Sequence, residues 1–317
     1  MRILLTGGAG FIGSNLAEQL LKDNRVSAVR VLDNLATGSM NNISSHMADS
    51  KFEFIEGDIR DYKTCLAACN NMDIVSHQAA LGSVPRSIND PLTTNEVNIT
   101  GTLNIFTAAK EKKVKRVVYA ASSSTYGDHP GLPKTEENIG RPLSPYAVTK
   151  YVNELYANVF ANLYGMEFIG LRYFNIFGPK QDPHGPYAAV VPLFAEALLN
   201  NEPPTINGDG SHSRDFTYVD NAVQANLLSL FTTKAEAINQ VYNIACGQQI
   251  SLLQLFEGLK KEAASSLQPV HGPERKGDVK YSMADISKAE KLLGYSVKVP
   301  VDEGLRMTFQ WYKEHHK

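Results

Sequence analysis

The feature that most constrains the fold is a cluster of glycines between a predicted strand and a predicted helix at the start of the chain. An apolar run at residues 3–5 is typical of a buried strand, and glycines follow at positions 7, 8, 10 and 13. In a dinucleotide-binding turn, such glycines permit the tight turn, the approach of the backbone to a pyrophosphate, and the packing of helix on strand. The order therefore predicts a dinucleotide site that includes Gly7, Gly10, Phe11, Ile12 and Gly13.

An acidic residue supports this interpretation. A second apolar run, residues 28–32, ends at Asp33, which lies 20 residues after Gly13. A carboxylate at this place accepts hydrogen bonds from ribose hydroxyls and repels a 2′-phosphate, so the pattern favours NAD over NADP. An ordinary glycine-rich turn is the alternative, because a glycine motif alone is a weak signal. The strand–turn–helix context and Asp33 together favour the dinucleotide.

The order of predicted elements indicates the fold class. Strand and helix patterns alternate as far as a sixth predicted strand at 168–171. This alternation predicts an α/β fold with a doubly wound parallel Rossmann sheet. Proline- and glycine-rich loops and shorter elements then predict a smaller α/β substrate-binding lobe. We expect an NAD-binding Rossmann domain at 1–174 and the lobe at 175–317, with 219–245 packing back on the first domain.

The composition excludes several classes of function. The 317 residues carry a net charge of −2 without a basic block, which argues against a nucleic-acid partner. No apolar run reaches the roughly 18 residues of a membrane span, and no targeting segment precedes the first strand, so we expect a cytoplasmic protein without a membrane partner. The spacing of Cys65, Cys69 and Cys246 matches no metal-binding pattern, and we expect no metal site.

A tyrosine and a lysine provide the strongest indication of catalysis. Tyr146 and Lys150 are four residues apart in a predicted helix, so their side chains share a face. A cation beside a phenol favours the phenolate and lowers its pKa towards the working range of a general base. Serines 122–124 end the fifth predicted strand, and ligands bind at the carboxyl ends of such strands. A coincidental surface pair on an amphipathic helix is the alternative, since this spacing is common.

These motifs resemble those of the extended short-chain dehydrogenase/reductases, and in particular of the UDP-sugar 4-epimerase family. The resemblance extends through the segments 171–179 and 214–220 and covers nearly the whole chain. It implies a catalytic set of Ser122, Tyr146 and Lys150, with Ser123 as a close second to Ser122. It also implies NAD as the cofactor, a UDP-sugar as the substrate, and a homodimer that pairs the helices near 91–113 and 145–164.

The same resemblance implies two sets of binding residues. Those that contact the cofactor are Gly7, Gly10, Phe11, Ile12, Gly13, Asp33, Asn34, Gly38, Asp58, Ile59, Gln78, Ala79, Ala80, Asn98, Tyr146, Lys150 and Tyr173. Those that contact the substrate are Gly82, Ser83, Ser123, Ser124, Asn175, Gln181, Ala189, Thr205, Ile206, Arg214, Arg275, Asp278 and Ser282. In the second set, Arg214 and Arg275 are expected at the diphosphate, and Ala189, Thr205 and Ile206 at the uracil.

Differences within the family indicate the reaction and the substrate. Its dehydratases carry an Asp–Glu pair where this chain has Ser123 and Ser124, which argues against a 4,6-dehydratase and weakens a decarboxylase assignment. Segments 82–87 and 181–185 are similar to the group that acts on N-acetylated UDP-sugars. Ser282 stands at the position where epimerases of non-acetylated sugars place a bulky tyrosine.

We therefore expect an NAD-dependent UDP-hexose 4-epimerase, acting on UDP-GlcNAc and UDP-GalNAc, in which a hydride leaves C4 and returns through a 4-keto intermediate. One alternative is a 4-epimerase of UDP-uronic acids (UDP-GlcNAcA or UDP-GlcA), which needs an extra cation for the C6 carboxylate. Arg86 is a candidate for that cation. The other alternative, from a different class, is a non-catalytic NAD-binding protein, which would not need Ser122, Tyr146 and Lys150 together.

Overall fold

The computed structural model describes residues 1–185, 187–273 and 280–316. Its strands are β1 Arg2–Thr6, β2 Ala28–Asp33, β3 Phe52–Glu56, β4 Ile74–His77, β5 Arg116–Ser122, β6 Glu167–Tyr173, β7 Ile176–Phe177, β8 Thr205–Asn207, β9 Ser213–Arg214, β10 Thr217–Tyr218, β11 Gln240–Ile244, β12 Ile250–Ser251 and β13 Val270–Gly272.

The α-helices are α1 Phe11–Lys22, α2 Tyr62–Ala68, α3 Val84–Asn89, α4 Pro91–Asn95, α5 Thr102–Glu111, α6 Pro145–Tyr164, α7 Val190–Leu199, α8 Val219–Phe231, α9 Leu252–Glu262, α10 Ser287–Leu293 and α11 Val301–His315. A π-helical segment, Glu96–Gly101, joins α4 to α5. Short 3₁₀ helices lie at Met40–Asn42, Ser44–His46, Ser123–Tyr126 and Ala235–Ala237.

Seven strands form one parallel sheet in the order β11-β6-β5-β4-β1-β2-β3. Parallel neighbours require crossover connections, and helices supply them on both faces of the sheet. The predicted doubly wound α/β fold is confirmed, and so is the smaller α/β lobe beside it.

The apolar residues of the strands pack into a separate core on each face. On one face, α1 and α8 pack together and bury Leu16, Leu20 and Ala222 completely. On the other face, α2, α5 and α6 surround Phe106, whose ring makes edge contacts with Tyr119 and Phe168. Side chains of β1 contribute to both cores because successive residues of a strand point to opposite faces.

The helix expected to run without interruption from Pro91 to about Lys113 instead contains the π-helical segment between α4 and α5. A π-turn inserts an extra residue into the helical repeat and is frequent at functional sites. Here the segment contains Asn98, which is fully buried. The side-chain Nδ2 of Asn98 donates to the Leu81 carbonyl, and its Oδ1 accepts from the Leu81 amide. These bonds fix the segment after β4 against this long helix.

Two helices were not expected from the sequence. Helix α7 has apolar residues at almost every position, so no periodic polar face indicates a helix; it is buried against α9 through Phe194 and Phe256. Helix α3 has only 6 residues. No helix within the described residues combines the length and apolarity needed to cross a membrane.

The chain connects the sheet and the smaller lobe more than once. Strand β11 pairs with β6 in the main sheet, although it lies in the second half of the sequence. The fully buried carboxylate of Asp215 accepts hydrogen bonds from the backbone amides of Cys246, Gly247 and Ala284. Burial raises the pKa of Asp215 to about 6 despite these donors. The predicted boundary between residues 174 and 175 stays a prediction.

Candidate active site

A cavity of about 620 Å³, here called the main cavity, lies at the carboxyl ends of β1, β2, β4, β5 and β6. It brings together most of the predicted binding residues. Those in its lining are Gly7, Gly10, Phe11, Ile12, Gly13, Asp33, Asn34, Asp58, Ile59, Gln78, Ala79, Ala80, Gly82, Ser83, Ser122, Ser123, Ser124, Tyr146, Lys150, Tyr173, Asn175 and Gln181.

The glycine turn forms one wall of the main cavity, and its geometry requires glycine. Gly7 has a positive φ of 71°, and a Cβ atom on Gly13 would lie 2.1 Å from the carbonyl oxygen of Gly7. The first turn of α1 therefore packs directly on the turn that precedes it. Its exposed amide groups and the helix dipole suit a pyrophosphate. Asp33 lies beside the turn, where its carboxylate accepts from the amides of Ala9 and Leu35.

An ion pair forms the far end of the main cavity. Arg60 Nη2 lies 2.8 Å from Asp58 Oδ2, and Asn34 donates to the same oxygen. Hydrogen bonds from Arg60 hold the pKa of Asp58 down at about 2. Sequence reasoning found Asp58 and Asn34 but missed Arg60, although its position two residues after Asp58 is a local signal.

The proposed catalytic groups meet at the opposite end of the main cavity. Ser122 ends β5, and its Oγ accepts from the hydroxyl and the amide of Ser124. Tyr146 lies in the first turn of α6, where the Ser144 side chain caps the helix. Burial raises the pKa of Tyr146, and its hydrogen bond with Ser122 opposes that shift. Lys150 Nζ donates to the Ala120 carbonyl at 2.9 Å.

The direction of the Tyr146 pKa differs from the expectation that Lys150 would lower it. Lys150 directs its hydrogen bond to Ala120, and loss of water around the phenol dominates. Burial also lowers the pKa of Lys150 to about 8. In the protein alone, therefore, removal from water favours the neutral form of both groups.

Buried polar networks missed by sequence reasoning hold the strand ends in place. His77 lies between the hydroxyls of Thr6 and Thr102, at 2.7 and 2.9 Å, and burial lowers the pKa of His77 to about 3. The hydroxyl of Tyr173 donates to Gln78 and accepts from Asn226. Because these partners are distant in sequence, no local pattern could reveal them.

Two predicted cofactor residues do not line the main cavity. The Asn98 side chain is occupied by the Leu81 backbone and by Thr149, so it braces the cavity wall from behind. Gly38 packs against the backbone of Ala9, where a Cβ atom would lie 2.8 Å from the Ala9 carbonyl carbon. Both positions support the cavity through the backbone of its neighbours.

A second cavity of about 280 Å³ adjoins the main cavity and shares Asn175 with it. Its lining includes Ala189, Thr205 and Arg214, three of the residues predicted to contact the substrate. This second cavity is therefore where the nucleotide part of the substrate would lie if those predictions hold. Arg214 Nη1 donates to the carbonyl oxygens of Ser213 and Lys280.

Two predicted substrate residues lie outside both cavity linings, and two others fall outside the described part of the chain. Ile206 is fully buried in the apolar core, so its side chain reaches neither cavity. Ser282 donates its amide to the Ser213 carbonyl and lines neither cavity, although it adjoins the wall that carries Arg214. Arg275 and Asp278 lie outside the described residues.

The charges in the main cavity are segregated. Among its described lining residues, the carboxylates are Asp33 and Asp58, both on the side of the glycine turn. No carboxylate of the described lining neighbours Ser122. Arg86 lies outside the lining, with its guanidinium 5.0 Å from the Tyr187 ring centroid. Within the described part of the chain, no group of three or more His, Cys, Asp or Glu side chains could hold a metal ion.

Comparisons with known proteins agree with this arrangement. Residues 3–245 match the sequence model of the NAD dependent epimerase/dehydratase family. A putative UDP-glucose 4-epimerase from Methanocaldococcus jannaschii is 37% identical, with 99% of each chain covered.

Two solved structures are also similar over their full length. A UDP-N-acetylglucosamine 4-epimerase from Methanobrevibacter ruminantium M1, in complex with UDP-N-acetylmuramic acid, is 38% identical, with a TM-score of 0.93 over 99% of this chain and 98% of that chain. A UDP-glucose 4-epimerase from Thermotoga maritima, with UDP-glucose, is 36% identical with a TM-score of 0.93, and each chain is fully covered (100%).

Replacement of Lys150 by methionine tests the burial of its charge. Because the pKa of Lys150 is lowered to about 8, the folded protein binds this proton more weakly than the unfolded chain does. The charge therefore opposes folding below pH 8, and the penalty disappears as the pH rises towards the ordinary lysine value. We expect Lys150→Met to raise the unfolding free energy of the cofactor-free protein at pH 7 by up to about 3 kcal/mol, and by less at pH 9.5, in denaturant titrations.

The matched control for this measurement is Lys63→Met, because Lys63 is exposed on α2. That variant should show no pH-dependent difference from the wild type. An equal effect of Lys150→Met at pH 7 and pH 9.5 would contradict a buried charge at Lys150.

Proposed function

This chain belongs to the NAD dependent epimerase/dehydratase family and is an NAD-dependent UDP-sugar 4-epimerase, and from this premise we propose that its preferred substrates are UDP-GlcNAc and UDP-GalNAc. One observation carries the proposal. Ser122, Tyr146 and Lys150 share the main cavity with the glycine turn, and hydroxyl groups rather than carboxylates surround them.

The residues of the main cavity fit NAD. The close packing of Gly13 on Gly7 leaves the amides at the start of α1 open to a pyrophosphate, and Asp33 stands where a ribose would lie. We propose that Asp58, with Arg60 and Ile59, bounds the adenine end. When bound, NAD supplies the acceptor and the donor of the C4 hydride.

We propose that Tyr146 is the general base and acid at the sugar O4. Its phenolate oxygen, hydrogen-bonded to Ser122, would take the O4 proton as the C4 hydride leaves, and the resulting phenol would return the proton when the hydride comes back to the opposite face. Ser122 would orient the O4 hydroxyl. Lys150, held by the Ala120 carbonyl, would supply positive charge that favours the phenolate form of Tyr146.

The lining of the main cavity supports epimerisation over the related reactions. A 4,6-dehydratase needs an acid and a base beside the catalytic hydroxyl, and Ser123 and Ser124 cannot supply them. Uronic acid substrates would bring a carboxylate, but Arg86 packs on Tyr187 outside the lining. The hydroxyls of Ser83, Ser123 and Ser124 are suited to the neutral acetamide and hydroxyls of an N-acetylated sugar.

We propose that the protein acts as a homodimer. Val148, Leu155, Val159 and Leu163 form an exposed apolar stripe along α6, and Leu92 of α4, which is 77% exposed, lies nearby. Stripes of this kind on a helix favour pairing with another helix. A second copy of the same surface would bury them around a twofold axis.

Charges placed in the stripe test the homodimer. We expect light scattering to show a dimer for the wild type and a monomer for the double variant Leu155→Glu with Val159→Glu, because the like charges would repel one another and would be buried without partners. The control is Met47→Glu, which changes an apolar side chain 52% exposed outside the stripe and should remain dimeric. A monomeric wild type at micromolar concentration would overturn the proposal.

Tyr146→Phe tests the general base. We expect the variant to fold and to retain NAD but to lose about 10²–10⁴-fold in turnover, the usual contribution of a positioned proton-transfer group. Tyr151→Phe is the matched control, because Tyr151 lies on the same helix outside the main cavity. Activity of Tyr146→Phe within a few-fold of wild type would remove Tyr146 from the mechanism.

A panel of UDP-sugars, followed by NMR at the anomeric proton, tests the substrate. We expect kcat/KM for UDP-GlcNAc and UDP-GalNAc to exceed that for UDP-glucose and UDP-galactose by at least about tenfold. Ser282 lines neither cavity, but we propose that the longer tyrosine side chain of Ser282→Tyr would extend past the wall that carries Arg214 and compete with the acetamide for space. This variant should selectively reduce turnover of UDP-GalNAc relative to UDP-galactose. Ser287→Tyr, on the exposed start of α10, is the control. A preference for UDP-glucuronate would overturn the proposed substrate. Equal losses of activity on UDP-GalNAc and UDP-galactose in Ser282→Tyr would overturn the proposed role of Ser282.

A further inference from the structure

A buried ion pair lies behind the catalytic end of the main cavity. Arg172 of β6 and Glu154 of α6 form two parallel hydrogen bonds, Nε to Oε1 at 2.9 Å and Nη2 to Oε2 at 2.7 Å. Both side chains are removed from water, with 3% and 6% exposure. A bidentate ion pair of this kind fixes the relative orientation of the two elements that carry it, as well as the distance between them.

Glu154 ties this pair to the proposed base. Tyr146, Lys150 and Glu154 follow one another at intervals of four residues in α6, so they lie along one face of the helix. The helix is regular from Pro145 to Tyr164. A rotation or shift of α6 at Glu154 would therefore move the Tyr146 hydroxyl and the Lys150 ammonium group with it.

Arg172 also contacts the turn that carries the serines. Its guanidinium lies 4.8 Å from the ring centroid of Tyr126, the last residue of the 3₁₀ turn Ser123–Tyr126. The Tyr126 hydroxyl donates to Asn243 Oδ1 at 2.6 Å, which anchors the ring to β11. The remaining Arg172 nitrogen, Nη1, donates to the Glu136 carbonyl. One guanidinium thus contacts both α6 and the turn that follows Ser122.

We propose that Arg172 and Glu154 are positioning residues that set the distance between the Tyr146 and Ser122 hydroxyls. The inference rests on the proposed roles of Ser122 and Tyr146. Stability alone gives a weaker account, because the desolvation of a buried ion pair offsets much of its attraction. Geometry at the reacting atoms is sensitive, since a displacement of about 1 Å can reduce turnover about 10²-fold.

The molecule provides a matched control pair. Arg116 and Glu167 face each other at the start of β5 and β6, with Nη2 and Oε2 2.6 Å apart and Arg116 3% exposed. Arg116 lies six residues from Ser122 along β5, which is about 20 Å in a strand. This pair joins β5 to β6 at the opposite edge of the sheet, away from the cavity.

The experiment replaces each pair by apolar residues of similar size, Glu154→Leu with Arg172→Met and, as the control, Glu167→Leu with Arg116→Met. Such replacements of whole ion pairs commonly preserve folding. Arg172→Lys is added because it keeps the positive charge beside Glu154 but cannot form the bidentate hydrogen bonds. The readouts are melting temperature, bound NAD, kcat and KM on the best substrate of the wild type, and the pH profile of kcat.

We expect the Glu154/Arg172 double variant and Arg172→Lys to lose about 10- to 100-fold in kcat with a smaller change in KM, and to show a shifted alkaline or acid limb in the pH profile. The control pair should alter only the melting temperature. Wild-type kcat and pH profile in either Arg172 variant would overturn the positioning role, and so would equal kcat losses in the control. Tyr146→Phe, assayed in parallel, distinguishes failure of the proposed base from failure of the positioning role. An active Tyr146→Phe would refute the role of Tyr146 as the base. An inactive Tyr146→Phe together with fully active Arg172 variants would refute only the positioning role.

Discussion

The parallel pairing of the seven strands determines where the proposed functional groups at the strand ends lie. The carboxyl ends of β1, β2, β5 and β6 carry, respectively, the glycine turn, Asp33, Ser122 and Tyr173, and parallel pairing brings those ends to one edge. The central strands β1, β4, β5 and β6 are buried on both faces, so a slip of one residue would send apolar side chains to the wrong core. The packing of the core therefore fixes the geometry of the cavity.

Buried hydrogen bonds refine that geometry, because an unpaired polar group in the interior costs about 1–3 kcal/mol. His77 joins β1 and β4 to α5 through two threonine hydroxyls, and the low pKa of His77, about 3, keeps the ring neutral. It is therefore a structural link rather than an acid or base at neutral pH. Tyr173, Gln78 and Asn226 link β6, β4 and α8 in the same way.

Burial has a second consequence at the catalytic end. It raises the pKa of Tyr146 and lowers that of Lys150 to about 8, so the protein alone keeps the phenol protonated at neutral pH. In the proposed mechanism, formation of the Tyr146 phenolate therefore requires further positive charge in the cavity. One guanidinium, that of Arg172, contacts both α6 and the turn that follows Ser122, and we propose that it sets the position of Tyr146 relative to Ser122.

The sequence by itself determined the glycine turn, the order of strands and helices, and the spacing of Tyr146 and Lys150. Each of these depends on residues within one or two turns of the chain, where periodicity and backbone sterics act locally. The parallel sheet followed from the alternation of elements. Reasoning from residue patterns alone could also indicate why Asp33 favours NAD.

Only the tertiary structure decided the remaining features. The bonds from Asn98 to Leu81, the hydroxyl network of Tyr173, and the Arg172–Glu154 pair join residues that are separated by 17 to 95 positions. Tertiary packing also places Ile206 in the apolar core and Ser282 beside Ser213, away from the cavity linings. Contacts at such separations depend on how the elements pack, and side-chain burial in three dimensions has no signature in a local stretch of sequence.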